Sequence, residues 1–213
     1  MVVWMSDADL VPVAELDRAP AADAAAMLRP ACASTRWIRR LVDGRPHESL
    51  DRLIGASDAA IGALSWPDIE EALAAHPRIG NRAPSGAGES AAGEPAAGEP
   101  AAGEPAAGEP AAGEPADGGS RAPGGDREAA WSRQEQAGAV GAAPDVQAAL
   151  GAGNLAYETR FGHIFLICAT GQSATDMLAA LRQRLSNEPG AEREIVRDEL
   201  LRIVRLRLAK TFR

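Results

Sequence analysis

Two cysteines, Cys32 and Cys168, and three histidines, His47, His76 and His163, are all that this chain of 213 residues offers to thiol or imidazole chemistry. Two cysteines cannot build a disulfide framework or a four-ligand zinc site, and both read as small buried hydrophobes. No apolar run approaches the roughly 20 residues that a membrane span needs. The first nine residues lack a basic stretch followed by an apolar one, so the expectation is no secretory leader and a cytoplasmic protein. There is no phosphate loop, no dinucleotide-binding glycine pattern, no Gly-x-Ser-x-Gly elbow and no HExxH pair. Neither cysteine has a base nearby in sequence. Basic residues are also short, 22 against 30 acids for a formal charge of −8, which argues against nucleic acid as a partner. The 46 % of hydrophobic residues is enough for a packed core.

The negative charge is local. Between Ala83 and Glu128 the acids are Glu89, Glu94, Glu99, Glu104, Glu109, Glu114, Asp117, Asp126 and Glu128, against Arg121 and Arg127 alone. That segment carries −7 and leaves −1 for the rest. It contains the pentad Ala-Ala-Gly-Glu-Pro five times over, from Ala91 to Pro115. Each unit pairs a helix breaker with a φ-locked proline and holds nothing that builds a core. A five-residue period is far below the roughly 20 to 50 residues of solenoid repeats. The expectation is a mobile acidic loop, with docking to a basic partner as the functional alternative. Removing the 46 residues 83–128 leaves 167, a normal size for one domain. The N-terminal flank is small for a core of its own, so the chain reads as a single domain, 1–213, interrupted by a long surface insert.

Outside the insert the pattern is helical almost throughout, and the fold class expected is all-α, a bundle of about seven to nine helices. Helices are expected over Ala21–Leu28, Thr35–Val42, His47–Leu64, Pro67–Ala75, Arg127–Val140, Asp145–Arg160, Ser173–Leu185 and Ala191–Ala209. Ser65 with Asp68 three residues on, and Pro67 in the first turn, is a helix-start signature. Pro77 disfavours helical geometry at His76 and stops that helix. Phe161–Ala169 (FGHIFLICA) is a continuous apolar run that fits an extended buried segment better than a helix.

Three places can hold chemistry. At 100° per residue, with Leu200 as the zero of the last helix, Ile203 lies at about −60°, Val204 at about +40° and Arg207 at about −20°. Arg207 is therefore in the apolar stripe, and a guanidinium there needs an anion, whether a core carboxylate or a substrate. Ser132, Glu135 and Gln136, at i, i+3 and i+4, share one helix face; it is either a solvated surface or a hydrogen-bonding comb for a polar ligand. His76, in Ala-His-Pro-Arg-Ile-Gly, sits at a helix C-terminus, where the macrodipole favours the protonated ring. It is either a cap or an acid–base group. His47, in an exposed-looking loop, and His163, in the apolar run, are read as non-catalytic.

Four strings occur in order: His76-Pro77-Arg78-Ile79-Gly80; Ser132-Arg133-Gln134-Glu135-Gln136-Ala137-Gly138; Asn154-x-x-Tyr157-x-x-Arg160-Phe161-Gly162 with Phe165-Leu166-Ile167-Cys168-Ala169; and Ile203-Val204-Arg205-Leu206-Arg207-Leu208. Together they resemble the decarboxylases of 2-oxo-4-hydroxy-4-carboxy-5-ureidoimidazoline (OHCU), which act between urate and allantoin. The resemblance implies an all-α enzyme without metal or organic cofactor, commonly a homodimer, acting on a small ureidoimidazoline and coupled in function to uricase and hydroxyisourate hydrolase. It maps the catalytic roles onto His76, Glu135 and Arg207. Pro77, Ser132, Arg133, Gln134 and Gln136 would line the substrate, and Phe165, Leu166, Ile167, Cys168 and Ala169 would offer it backbone groups. Asn81 stands where many relatives have Glu, and the stretch between the His76 and Glu135 motifs is longer here. His76 would then give or relay the proton, and Glu135 would orient the ureido or hydroxyl group. Arg207 with Ser132 and Gln136 would align the scissile bond. The rivals are another acid–base enzyme on a related ureide, and a helical scaffold using its acidic tether.

Overall fold

A computed structural model describes residues 10–79 and 142–213. The expected helix Arg127–Val140, the insert 83–128, Asn81, and Ser132 to Gln136 with Glu135 lie outside the described residues. Contacts divide the chain into a unit of Met1–Asn81 with Ala122–Arg213, which contains every described residue, and a second unit, Arg82–Arg121.

The described residues form eight helices and no strand. They are α1 (Val13–Arg18), α2 (Ala21–Leu28), α3 (Thr35–Asp43), α4 (Leu50–Gly62), α5 (Trp66–Ala74), α6 (Pro144–Phe161), α7 (Ala174–Arg184) and α8 (Pro189–Thr211). The short α1 is not foreseen in the sequence. The capping chemistry sets the starts. Ser34 accepts from Trp37 N–H, and Ser49 from Arg52 N–H. Ser65 donates its N–H and hydroxyl to Asp68, as Ser173 does to Asp176. Pro144 and Pro189 occupy first turns, where a missing N–H costs nothing. Gly162, at φ 78°, closes α6 in the left-handed conformation.

Side chains from distant parts of the sequence then cap what the helices leave open. Arg197 on α8 donates to the carbonyls of Ile61 and Leu64 at 2.9 and 3.0 Å, covering the end of α4. Arg205 pairs with Asp58 of α4, and Glu71 of α5 accepts from both N–H and hydroxyl of Thr35 at the start of α3. His47 is a correction to the sequence reading. It is buried, not exposed, because Asp17 accepts its N–H at 2.8 Å and its ring Nε2 meets Leu41 O at 2.9 Å.

The apolar residues collect in two clusters. One joins α1 to α5 with the inner face of α8, around Trp37, Leu53, Ile61, Leu200 and Val204. The other joins α6 and α7, around Leu150, Tyr157, Met177 and Leu181. Gly153 permits the close approach of α6 and α7, since a Cβ there would lie 2.5 Å from a Leu181 methyl.

Between the clusters runs the non-helical stretch after Gly162. Leu166, with Ile164 and Cys168 partly buried beside it, packs into the first cluster. Phe165, Ile167 and Ala169 pack into the second. An extended backbone turns alternate side chains to opposite sides. Both sides are buried here, which is why FGHIFLICA reads as an unbroken apolar run.

Candidate active site

An extended segment with no sheet around it must find side-chain partners for its polar groups. The chain supplies them from three buried or half-buried residues. Arg184 donates to Leu166 O at 2.7 Å, Glu199 accepts from Cys168 N–H at 2.8 Å, and Gln172 donates to Cys168 O at 3.0 Å. Arg184 is held in turn by Glu192, with contacts of 2.6 and 2.7 Å, and its guanidinium lies 4.7 Å from the centre of the Phe165 ring. Tyr157 donates its hydroxyl to Glu192, and Asn187 donates to the other Glu192 oxygen at 2.7 Å. Burial foremost, and then the hydrogen bond to Glu192, push the Tyr157 phenol well above its usual range. Some of the backbone groups foreseen as substrate contacts, the Cys168 N–H and Leu166 carbonyl among them, are thus already engaged by protein.

Of these supporting residues only Tyr157 stood in one of the four strings, and without a role, though a signal existed for two more. On the wheel of α8, Glu192 and Glu199 fall at about −80° and −100° from Leu200, beside Ile203 at about −60°. Both are buried.

His76 lies just beyond α5. Its N–H donates to Leu73 O at 2.9 Å, and its ring Nδ1 meets Ala72 O at the same distance. A carbonyl can only accept, so in the neutral ring Nδ1 carries the hydrogen and Nε2 is a bare lone pair. Nε2 is buried and makes no hydrogen bond to a described residue. Burial first, and the positive charge of Arg207 second, lower the imidazole pKa to about 4, against the opposing pull of the Ala72 carbonyl. This corrects the expectation that the helix end keeps the ring protonatable. The macrodipole acts on a solvated ring within the last turn, and here desolvation and a nearby guanidinium outweigh it.

Arg207 is fully buried on α8, as the wheel placed it, with Nη1 at 3.5 Å from Pro30 O. Pro77 and Arg78 are exposed beyond His76, and Ile79 is buried in the second cluster. The structure therefore brings His76 into electrostatic range of Arg207 and packs Phe165–Ala169 between the clusters. Among the described residues no group of three or more His, Cys, Asp or Glu is arranged to hold a metal, and no helix is long and apolar enough to cross a membrane.

A pH dependence of stability follows. Protonation of His76 is harder in the folded state than in the unfolded one, so its contribution is complete above about pH 6.5 and is lost as pH falls towards 4. Urea unfolding at pH 7 and pH 5 should show a larger loss for wild type than for His76→Gln, which cannot titrate. Equal losses in the two proteins would exclude a neutral His76 imidazole with a lowered pKa.

The described residues thus form an all-helical protein in which a half-buried imidazole, with its Nε2 buried, lies in the field of a buried guanidinium. The sequence model described as OHCU decarboxylase matches residues 17–111 and 115–209, and the chain belongs to that family. It is 30 % identical over 181 residues, 85 % of its length, to the uric acid degradation bifunctional protein TTL of Arabidopsis thaliana. Over 55 residues, 26 % of its length, it is 42 % identical to the OHCU decarboxylase of Amia calva. The matches cover 45 % and 31 % of those two proteins, so the chain spans under half the length of the curated relatives it matches. Among solved structures, an OHCU decarboxylase crystallised in the presence of (S)-allantoin superposes with a TM-score of 0.60 at 24 % identity, over 87 % of this chain and 96 % of that one. An (S)-allantoin synthase superposes with a TM-score of 0.57 at 16 % identity, over 94 % and 54 %. At these identities the superpositions establish the fold.

Proposed function

We propose that the protein decarboxylates OHCU to (S)-allantoin and CO2 in urate degradation, without metal or organic cofactor. The observation that carries this reading, beside family membership, is the buried basic Nε2 of His76 in the field of Arg207. A cationic, desolvated corner of this kind suits an anionic substrate. The Arg207 charge holds the substrate, and the anion in turn makes it easier for His76 to take up a proton.

Decarboxylation breaks the bond from the hydroxyl-bearing ring carbon to the carboxylate. The electron pair left behind moves into the ring, onto the neighbouring C=N, whose nitrogen takes one proton, so one proton is consumed per CO2 released. The resulting enol then loses its hydroxyl proton while the adjacent carbon gains one, giving the keto product. His76 Nε2, a lone pair in the resting protein, is suited to accept the hydroxyl proton and deliver it to one face of the ring, a relay rather than a standing acid. Delivery from one side gives (S)-allantoin and not the racemate. Glu135 orients the hydroxyl or ureido group. Ser132, Arg133, Gln134 and Gln136 hold the ureido end, with Pro77 and the remaining backbone groups of Phe165–Ala169 lining the pocket.

We further read the chain as one domain with its insert at 83–128, acting as a cytoplasmic homodimer after uricase and hydroxyisourate hydrolase. Light scattering tests the dimer. The activity is tested by generating OHCU in situ from urate with those two enzymes and following allantoin by circular dichroism. Rapid appearance of (S)-allantoin is expected. Decay at the spontaneous rate in the presence of folded protein would overturn the assignment in favour of a related ureide. A function lost on deleting residues 91–115 but retained in His76→Ala would favour the scaffold.

A further inference from the structure

His76 is placed by what holds the chain on either side of it. On its N-terminal side it is fastened to α5 by its own N–H and by Nδ1, through Leu73 O and Ala72 O. On its C-terminal side the chain leaves the helix through Pro77, which has no N–H to donate. Beyond it, α6 also fastens the chain. Asn154 donates its side-chain amide to Ile79 O at 2.7 Å, in a buried bond between residues 75 apart in sequence. One turn further along, Glu158 takes the Arg78 guanidinium at both oxygens, at 2.5 and 2.7 Å, in a pair open to solvent. Asn154 and Glu158, at i and i+4, lie on one face of α6. Only Pro77 and Arg78 separate His76 from the buried anchor at Ile79, and Pro77 has one backbone torsion locked, so a displacement at Ile79 reaches the imidazole with little slack.

We propose that Asn154 is a positioning residue for His76: by holding the Ile79 carbonyl it fixes the exit of the loop and so aims Nε2 beside Arg207. The inference rests on the reading of His76 as the acid–base group. Asn154 touches no reacting atom. The Arg78–Glu158 pair is solvated and contributes less, as exposed pairs do.

The test uses Asn154→Ala and the isosteric Asn154→Asp, which keeps the volume but replaces the donor by an acceptor facing a carbonyl. Glu158→Gln is the comparator. Two quantities are read: kcat and KM with OHCU generated in situ, and the titration of the His76 imidazole by NMR. In both Asn154 variants kcat is expected to fall about tenfold or more. KM should stay within about twofold, because the lost alignment matters mainly after binding. His76 should titrate above its wild-type position as the loosened loop admits water to the ring. Glu158→Gln should change kcat by less than about threefold. Folded variants with unchanged kcat, or a fall in kcat with an unaltered His76 titration, would overturn the proposal. Should Asn154→Ala fail to fold, Asn154→Asp carries the same comparison. Should the wild type itself not accelerate OHCU decay, the decarboxylase reading falls, and the titration alone decides whether Asn154 positions the ring.

Discussion

Replacing His76 by alanine should bring allantoin formation down to the spontaneous background, a loss of about 10²- to 10⁴-fold for a positioned acid–base group. His76→Asn should do the same while preserving more of the local structure. Its amide can still donate to Ala72 O, the bond that Nδ1 makes, but it has no basic lone pair where Nε2 stands. The two variants thus separate holding the loop from moving the proton. The acid limb of wild-type kcat/KM reports the free protein. It should lie near the lowered imidazole pKa of about 4, well below an ordinary histidine. Initial rates by circular dichroism, with far-ultraviolet spectra to confirm folding, check this. A His76→Ala protein that is folded and retains activity comparable to wild type would remove the imidazole from the mechanism.

Glu192→Ala should be the most destabilising single change outside the apolar clusters. The carboxylate is fully buried and takes bonds from Arg184, Tyr157 and Asn187. Removing it leaves the Arg184 charge buried and uncompensated and the Tyr157 hydroxyl without its acceptor. Breaking a buried pair in this way costs about 3–5 kcal/mol, a large part of the roughly 5–15 kcal/mol that holds a domain together. At roughly 2–4 °C per kcal/mol for this size, Tm should fall by about 6–20 °C. Glu192→Gln keeps an acceptor for Tyr157 but not the negative charge, and should fall between. Because Arg184 also holds the Leu166 carbonyl, the loss should extend to the active site as reduced kcat in whatever fraction stays folded. Thermal and urea unfolding measure the first effect. A change below about 1 kcal/mol, the scale of an exposed pair, would show that the network carries little stability.

Helix positions were legible because their causes are local. Ala21–Leu28 is found with the expected bounds, and the Ser65–Asp68 start signature is present as an N-terminal cap of α5. The helix expected over Pro67–Ala75 and stopped at His76 by Pro77 runs over Trp66–Ala74, and Arg207 is buried as its place on the α8 stripe requires. Each depends on hydrogen bonds and side-chain directions within about one turn of the residue itself. The α1 helix escaped because Val13–Arg18 is too short to show a period; it buries only Val13 and Leu16.

Burial and charge state were not legible in the same way, because their causes come from far along the chain. His47 looks exposed in sequence until Asp17, thirty residues earlier, takes its N–H. The protonation of His76 looks like a helix-end matter until Arg207 and the surrounding core act on the ring. Asn154, although it opens one of the family strings, and Glu158 show no partner in the sequence until residues 78 and 79 are laid against them. Composition, caps and periodicity sufficed for the all-α class, for most of the described helices and for the acidic pentads, and the resemblance of four strings gave the family. Desolvation and charge–charge coupling vary with distance in space, not along the sequence, so the lowered pKa of His76 and the bond from Asn154 to Ile79 arise only when the two flanks pack together.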